Sequence, residues 1–168
     1  MTENDNNAVI LATNDELADQ AYQEIYKIFK ANAEKAIDSA MHETGEYLIK
    51  IFYDDDIEKA RKKDSPQKKS LRQLIKKFQS TSAHSPSKSY IYNSVRLVIQ
   101  RNDLQVKGGD DAFHTYGNLS LSHKVVLLPV ENIEDKVSLI NKIVVNDLSV
   151  RSLEQLKQGL ISQKTESD

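Results

Sequence analysis

Apolar side chains recur at intervals of three and four residues through most of this 168-residue chain, and that spacing is the strongest constraint on its fold. It gathers the apolar groups on one face of an α-helix, whereas a half-buried strand needs strict alternation. One short β-branched run, residues 143–146, is the weakest part of the pattern, and it still fits the end of a helix. The sequence therefore predicts an all-α protein with a helix-turn-helix core and an N-terminal helical extension.

The N-terminal extension is predicted over residues 13–69, after a polar segment, residues 1–12, that we expect to be disordered. Thr13 and Glu16 fit a capping box at the start of its first helix. Gly45 is predicted to bend or break that helix. An aspartate run at residues 54–56 is predicted to cap a short helix through Ala60.

The core is predicted over residues 70–161, followed by a polar tail, residues 162–168. Its helix-turn-helix lies near residues 70–101, with one helix capped by Ser70 and the next entered through Ser85 and Pro86. A break at 107–111 and a loop to about Leu119 follow. Three further helices are predicted to be capped by Ser120 or Ser122, by Asn132 and by Ser149.

Charge is distributed very unevenly along the chain. Residues 1–58 carry 14 acids and 4 bases, residues 59–107 carry 13 bases and 2 acids, and residues 108–168 carry 6 bases and 9 acids. A basic centre between acidic flanks is the electrostatic footprint of a nucleic-acid surface. A solvated, lysine-rich helical face gives the same pattern, so charge alone leaves both readings open.

The second helix of the predicted pair carries polar and basic residues away from its apolar stripe. Hydroxyls and helix N-terminal amides bind phosphates, lysine and arginine reach phosphates or guanine edges, and asparagine reads adenine. This chemistry favours double-stranded DNA, although an amphipathic helix with a solvated polar face would look alike. The candidate DNA-binding residues are Ser87, Lys88, Ser89, Tyr90, Tyr92, Asn93 and Arg96, with Arg72, Lys76 and Lys77 from the preceding helix.

Three segments in this order resemble the ParB and KorB partition-protein family. Residues 87–97, SKSYIYNSVRL, are similar to its recognition helix, and residues 119–128, LSLSHKVVLL, to its leucine-serine-x-glycine-histidine segment. Residues 147–154, DLSVRSLE, are similar to its serine-valine-arginine segment. The resemblance covers residues 70–157 and implies a ParB-like helix-turn-helix that binds DNA.

Several features depart from that family. Ser94 replaces one of an apolar pair, Ser122 stands where glycine is usual, and the loop at 104–118 is longer than expected. An arginine-rich nucleotide-binding segment is absent upstream, so no cofactor is predicted. Residues 14–69 instead resemble small uncharacterised bacterial helical proteins, related to the helical N-terminal domain of some restriction-like nucleases.

Candidates for catalysis and metal binding are weak. His42 lies four residues from both Asp38 and Glu46, a set that could hold zinc, but a solvated charged face is the favoured interpretation. His123 opens a helix and is predicted to be a packed or hydrogen-bonded core histidine. No nucleophile with a base and an orienting group is evident. We therefore expect a non-enzyme without a metal site.

The apolar stripe of the first helix has two possible burial sites. It can pack on the helix-turn-helix core of its own chain, or it can form a dimer seam, for which the candidates are Leu17, Ala21, Ile25 and Ile28. A homodimer reading two half-sites is favoured because one helix-turn-helix rarely supplies enough specific affinity.

Two functions remain open at this stage. One is a transcriptional regulator or a plasmid or mobile-element maintenance factor. The other is an interaction module, such as an accessory subunit of a nuclease system. Neither a signal peptide nor a membrane span is recognisable, so a cytoplasmic protein associated with nucleoid or plasmid is expected.

Overall fold

The computed structural model describes residues 14–63, 68–81 and 85–165. Every regular element within these ranges is helical, which confirms the all-α prediction. The segment 1–12 and Thr13 lie outside the described residues. In chain order the elements are α1 (Asn14–Phe52), α2 (Ile57–Arg61), α3 (Lys68–Thr81), α4 (Lys88–Asp103), a π-helical turn (Leu104–Gly108), α5 (Asp110–Gly117), α6 (Leu121–Leu127), α7 (Ile133–Val145) and α8 (Val150–Thr165).

By its internal contacts the chain divides into two units, Met1–Glu34 and Lys35–Asp168. The first unit contains the N-terminal part of α1, on which large apolar side chains such as Ile25 and Phe29 are exposed. The second unit contains the rest of α1 and all later helices. The domain boundary predicted from the sequence, between residues 69 and 70, lies well after this division.

A first hydrophobic core in the second unit joins the end of α1 to α2, α3 and α4. The two helix-turn-helix helices contribute Leu71 and Ile75 from α3 and Ile91 and Val95 from α4, each pair four residues apart. This spacing places both members of a pair on the same helix face. The rest of the core comes from the end of α1, from the residue that follows it and from α2: Leu48, Ile49 and Phe52, then Tyr53, then Ala60.

A second core lies among the π-helical turn and α5 to α8. It is built from fully buried side chains such as Tyr116, Leu139 and Leu153. A small cluster of Met41, Leu97 and Leu128 connects α1, α4 and the end of α6. Helix α4 therefore packs into the first core and also into this small cluster.

Gly45 does not break α1, which runs continuously to Phe52. The prediction of a bend there was wrong because the glycine serves a close approach between two helices. A Cβ atom at position 45 would lie 2.2 Å from the Ser94 carbonyl oxygen of α4. Ser94 is itself fully buried, and its hydroxyl donates to the Tyr90 carbonyl.

A buried polar cluster links α1 to α4, α5 and α6. Lys124 is 3 % exposed and its ammonium donates to Asp38 Oδ2 at 2.6 Å. Gln100 Nε2 donates both to the Tyr116 hydroxyl, at 3.1 Å, and to the Lys124 carbonyl, at 2.9 Å. These hydrogen bonds satisfy most of the polar atoms of the cluster, although Asp38 Oδ1 and Gln100 Oε1 are buried without a partner among the described residues.

The favoured interpretation of Asp38 and His42 as a solvated charged face was wrong. Their side chains are only 21 % and 14 % exposed, 3.6 Å apart, and Asp38 is committed to Lys124. Burial lowers the pKa of His42, with the nearby Asp38 opposing that shift. Glu46 is exposed, and no group of three metal-binding side chains occurs in the part of the chain that the structure describes.

Most predicted helix starts are confirmed. Asp56 caps α2, Ser120 caps α6, Asn132 caps α7 and Ser149 accepts from the Ser152 amide at the start of α8. Ser70 was wrong as a cap, because α3 already begins at Lys68. Ser85 and Pro86 were also wrong, since α4 begins two residues later.

The loop predicted from 107 to about 119 was wrong as well. The chain continues from α4 through the π-helical turn, and Gly109, with φ of 84°, redirects it into α5. The C-terminal tail also begins later than predicted, because α8 extends to Thr165. None of the described helices combines the length and the apolar character that a membrane span requires.

His123 is confirmed as a hydrogen-bonded, partly buried histidine. Its Nδ1 lies 2.7 Å from the Ser120 hydroxyl and its Nε2 lies 2.8 Å from the Leu148 carbonyl oxygen. The ring therefore joins the start of α6 to the segment that leads into α8.

The close approach at Gly45 generates a stability prediction. Gly45→Ala forces α1 and α4 apart and should lower the free energy of unfolding by about 1–3 kcal/mol. Gly159→Ala is the matched control, since a Cβ there meets nothing within 4 Å and alanine favours a helix interior by up to about 1 kcal/mol. Thermal melts of both variants check this, and an unchanged melt for Gly45→Ala would contradict the contact.

Candidate nucleic-acid interface

The helix pair α3 and α4 presents one apolar and one polar face. The apolar faces meet in the first core, and the polar faces remain exposed to solvent. The two helices contain a single acidic residue, Asp103, which is paired with Arg61 of α2. The outward surface of the pair is therefore basic.

Helix α4 begins at a serine cap. The Ser87 hydroxyl accepts a hydrogen bond from the Tyr90 amide at 3.0 Å, so helical hydrogen bonding starts at Lys88. The amides of the first turn and the helix dipole favour an anion at this end. Ser87 and Ser89 are exposed beside it, which gives two hydroxyls at the expected phosphate position.

An exposed row of side chains runs along the outer face of α4. Lys88, Tyr92 and Arg96 are each four residues apart, and all three are exposed. The Lys88 ammonium lies 6.0 Å from the centre of the Tyr92 ring, at the outer limit of a cation–π contact. Asn93 is half-buried at the edge of this row.

The polar face of α3 adds further positive charge. Arg72, Lys76 and Lys77 are all exposed, on the side opposite Leu71 and Ile75. Side chains on this first helix of a helix-turn-helix usually contact the DNA backbone, because the second helix occupies the major groove. Eight of the ten candidate residues are thus exposed, and the other two, Tyr90 and Asn93, are half-buried.

Tyr90 is the candidate whose side chain packs toward the interior. It is half-buried between two hydrophobic clusters, and its hydroxyl lies 3.3 Å from the Thr44 hydroxyl of α1. The ring therefore fastens α4 to α1 rather than facing outward. The helical spacing of Ile91 and Val95 in the sequence does not indicate that Tyr90 also packs inward.

Arg61 is a basic residue whose role the charge count did not reveal. Its guanidinium makes a bidentate pair with Asp103, with nitrogen–oxygen distances of 2.7 Å and 2.5 Å. This pair ties α2 to the end of α4. Arg61 thus contributes to the position of α4, and its charge is largely neutralised.

The helix pair α3 and α4, with a basic outward face on the second helix, is typical of a helix-turn-helix DNA-binding protein. Comparison with protein-family models agrees: the ParB HTH domain matches residues 66–162, more than half of the chain. The chain therefore belongs to the ParB helix-turn-helix family, which confirms the resemblance seen in the sequence. No curated protein and no solved structure matches the chain significantly.

The two tyrosines of α4 allow a test of which side chains face DNA. Tyr90→Phe should leave DNA affinity unchanged, because only the hydroxyl that faces Thr44 is removed. Tyr92→Ala should weaken binding several-fold, because Lys88 loses the ring that positions it. Fluorescence anisotropy with a labelled duplex measures the DNA affinity of both variants. If Tyr90→Phe weakens binding and Tyr92→Ala does not, the face of α4 that carries Tyr92 is not the one that contacts DNA.

Proposed function

We propose that this protein binds specific sequences in double-stranded DNA and acts as a transcriptional regulator or as a plasmid or mobile-element maintenance factor. The observation that carries the proposal is the exposed row of Lys88, Tyr92 and Arg96 on a helix whose opposite face is locked in the core. A rigid helix with such a row can enter a major groove and contact base edges. We propose that the protein acts in the cytoplasm, on chromosomal or plasmid DNA.

The proposal includes no catalysis. Two titratable side chains that could serve as general bases hold the fold together: His123 contacts Ser120 and Leu148, and Asp38 holds Lys124. A group already engaged in this way is poorly placed to take a proton from a substrate. Binding alone accounts for the surface described above.

Arg96→Ala and Lys88→Ala test the DNA interface. Both side chains are exposed, so the fold should persist while DNA binding weakens. A lost base contact should cost about 1–3 kcal/mol and relax specificity, whereas a lost phosphate contact should weaken all sequences alike and flatten the salt dependence.

The measurement uses duplexes enriched from a random-sequence pool, at two salt concentrations. Arg151→Ala, an exposed arginine at the start of α8, is the matched control and should bind like the parent. If both α4 variants bind like the parent while the control does not, the recognition helix is assigned wrongly.

We further propose that two copies associate through the N-terminal part of α1. Ile25 and Ile28, two of the four candidate seam residues, are 65 % and 54 % exposed. The side chains of the other two, Leu17 and Ala21, lie outside the described residues. Large exposed apolar patches mark association surfaces, since water otherwise contacts them at a free-energy cost.

The spacing of this surface fits a helix–helix seam. Tyr22, Ile25 and Phe29 follow one another at intervals of three and four residues, and Asn32 continues the series. One asparagine in such a seam fixes register and oligomeric state at some cost in stability. Burying Ile25 and Ile28 contributes roughly 1.5–3 kcal/mol each, which exceeds the screened repulsion between exposed acidic side chains.

Ile25→Asp combined with Ile28→Asp should convert the dimer to a monomer and weaken DNA binding, with helicity retained. The control is Gln23→Asp with Ala31→Asp, two exposed positions of the same helix away from the stripe. Light scattering and circular dichroism report the mass and the helix content. A monomeric parent protein would contradict the proposed dimer. The apolar stripe with Ile25 and Ile28 would then be expected to bind a different protein.

A further inference from the structure

A cavity of about 380 Å³ lies between α1, α4, α5 and α6, next to the buried polar cluster. Its lining combines charged, polar and aromatic side chains, among them Asp38, His42, Arg101, Phe113, Tyr116 and Lys124. Small-molecule sites have volumes of roughly 300–1,000 Å³ and combine aromatic walls with a few polar groups. The cavity therefore has the size and the composition of such a site, and the proposed DNA interface makes no use of it.

Two lining residues contain enclosed polar atoms that have no partner among the described residues, Asp38 Oδ1 and His42 Nδ1. The Nε2 atom of His42 lies 3.6 Å from Asp38 Oδ1, so the single ring proton of a neutral imidazole belongs on that nitrogen. Burial lowers the pKa of His42, which favours the neutral form. His42 Nδ1 is then an acceptor, and an enclosed acceptor without a donor is unfavourable.

The charges of the lining determine the sign of the ligand. Lys124 and Asp38 pair at 2.6 Å, so their charges cancel. Arg101 is exposed at the open side of the cavity, where its guanidinium lies 6.0 Å from the centre of the Phe113 ring. The cavity thus has a net positive charge, which favours an anion.

We propose that this cavity binds a small organic anion that also carries a hydroxyl group, such as a hydroxycarboxylate or a sugar phosphate. The hydroxyl donates to the enclosed acceptors of Asp38 and His42, and the anionic group pairs with Arg101. A neutral donor suits these acceptors better than an ammonium, because Lys124 already lies beside Asp38 and would repel a second cation.

The cavity lies on the side of α4 that faces away from the proposed DNA-binding row. Arg101 follows Tyr92 by nine residues (101 − 92), which is about two and a half turns of an α-helix. The two side chains therefore project from opposite sides of α4, and a ligand beside Arg101 leaves the row with Tyr92 uncovered. The inference goes beyond the proposed function, since ligand binding at this place requires no DNA.

The test is a calorimetric titration of the full chain with matched probes. Glycerate and glycerol 3-phosphate carry a hydroxyl and a charge, acetate and inorganic phosphate carry only the charge, and glycerol carries only hydroxyls. One of the first two should bind once per chain and about tenfold more tightly than its plain anion, because the hydroxyl adds a hydrogen bond to a buried acceptor. The tighter of the two identifies the anionic group as carboxylate or phosphate.

Substitutions at both ends of the cavity test the two contacts separately. Arg101→Met should weaken binding of the better probe by about tenfold or more, whereas Arg151→Met, at an exposed arginine of α8 outside the cavity, should bind like the parent. His42→Leu removes the acceptor and should reduce the preference for the hydroxyl probe over its plain anion. His42→Asn should retain that preference, because its side-chain oxygen can occupy the position of Nδ1. Circular dichroism melts verify that each variant is folded.

Three results would overturn the inference. The first is a parent protein that binds neither glycerate nor glycerol 3-phosphate at millimolar concentration. The second is a plain anion that binds as tightly as its hydroxyl counterpart. The third is a folded Arg101→Met that binds the better probe like the parent, and this variant decides the matter even if His42→Leu does not fold. A protein that binds the ligand but no DNA would instead overturn the proposed function.

Discussion

The position of the recognition helix depends on one backbone contact. At Gly45 the surface of α1 comes so close to the Ser94 carbonyl of α4 that even a methyl group would not fit. The neighbouring Thr44 meets the Tyr90 hydroxyl, and Ser94 satisfies its own hydroxyl on the Tyr90 carbonyl. Because protein interiors are closely packed, this contact restricts both the distance between α1 and α4 and the rotation of α4 about its axis. It therefore helps to determine which side chains of α4 face outward.

The DNA-binding unit consequently extends beyond the segment that defines the family. The family match begins at residue 66, but the core beneath α3 and α4 includes Leu48, Ile49 and Phe52 of α1. Asp38 of the same helix holds Lys124 of α6. A chain cut at residue 66 would expose that core and remove the carboxylate that pairs with Lys124, so it should be strongly destabilised.

Local patterns in the sequence were sufficient for the helix pair and for most caps, because spacing and capping are properties of neighbouring residues. They failed where a distant partner decides the outcome. Gly45 looks like a helix breaker until Ser94 is placed against it, and Asp38 looks solvated until Lys124, 86 residues later, reaches it. The outward positions of Lys88, Tyr92 and Arg96 followed from periodicity, whereas the inward turn of Tyr90 depends on two clusters and a hydroxyl on another helix.

Counting charges along the sequence identified the basic centre but could not identify the cations available to DNA. Arg61 lies within that centre, and Asp103 neutralises it in the folded chain. Phosphate affinity depends on the cations that remain uncompensated after folding, since each one that contacts DNA releases condensed counterions. The interface is therefore defined by pairing and burial in three dimensions, and the sequence determines it only through the fold that brings α2 and α4 together.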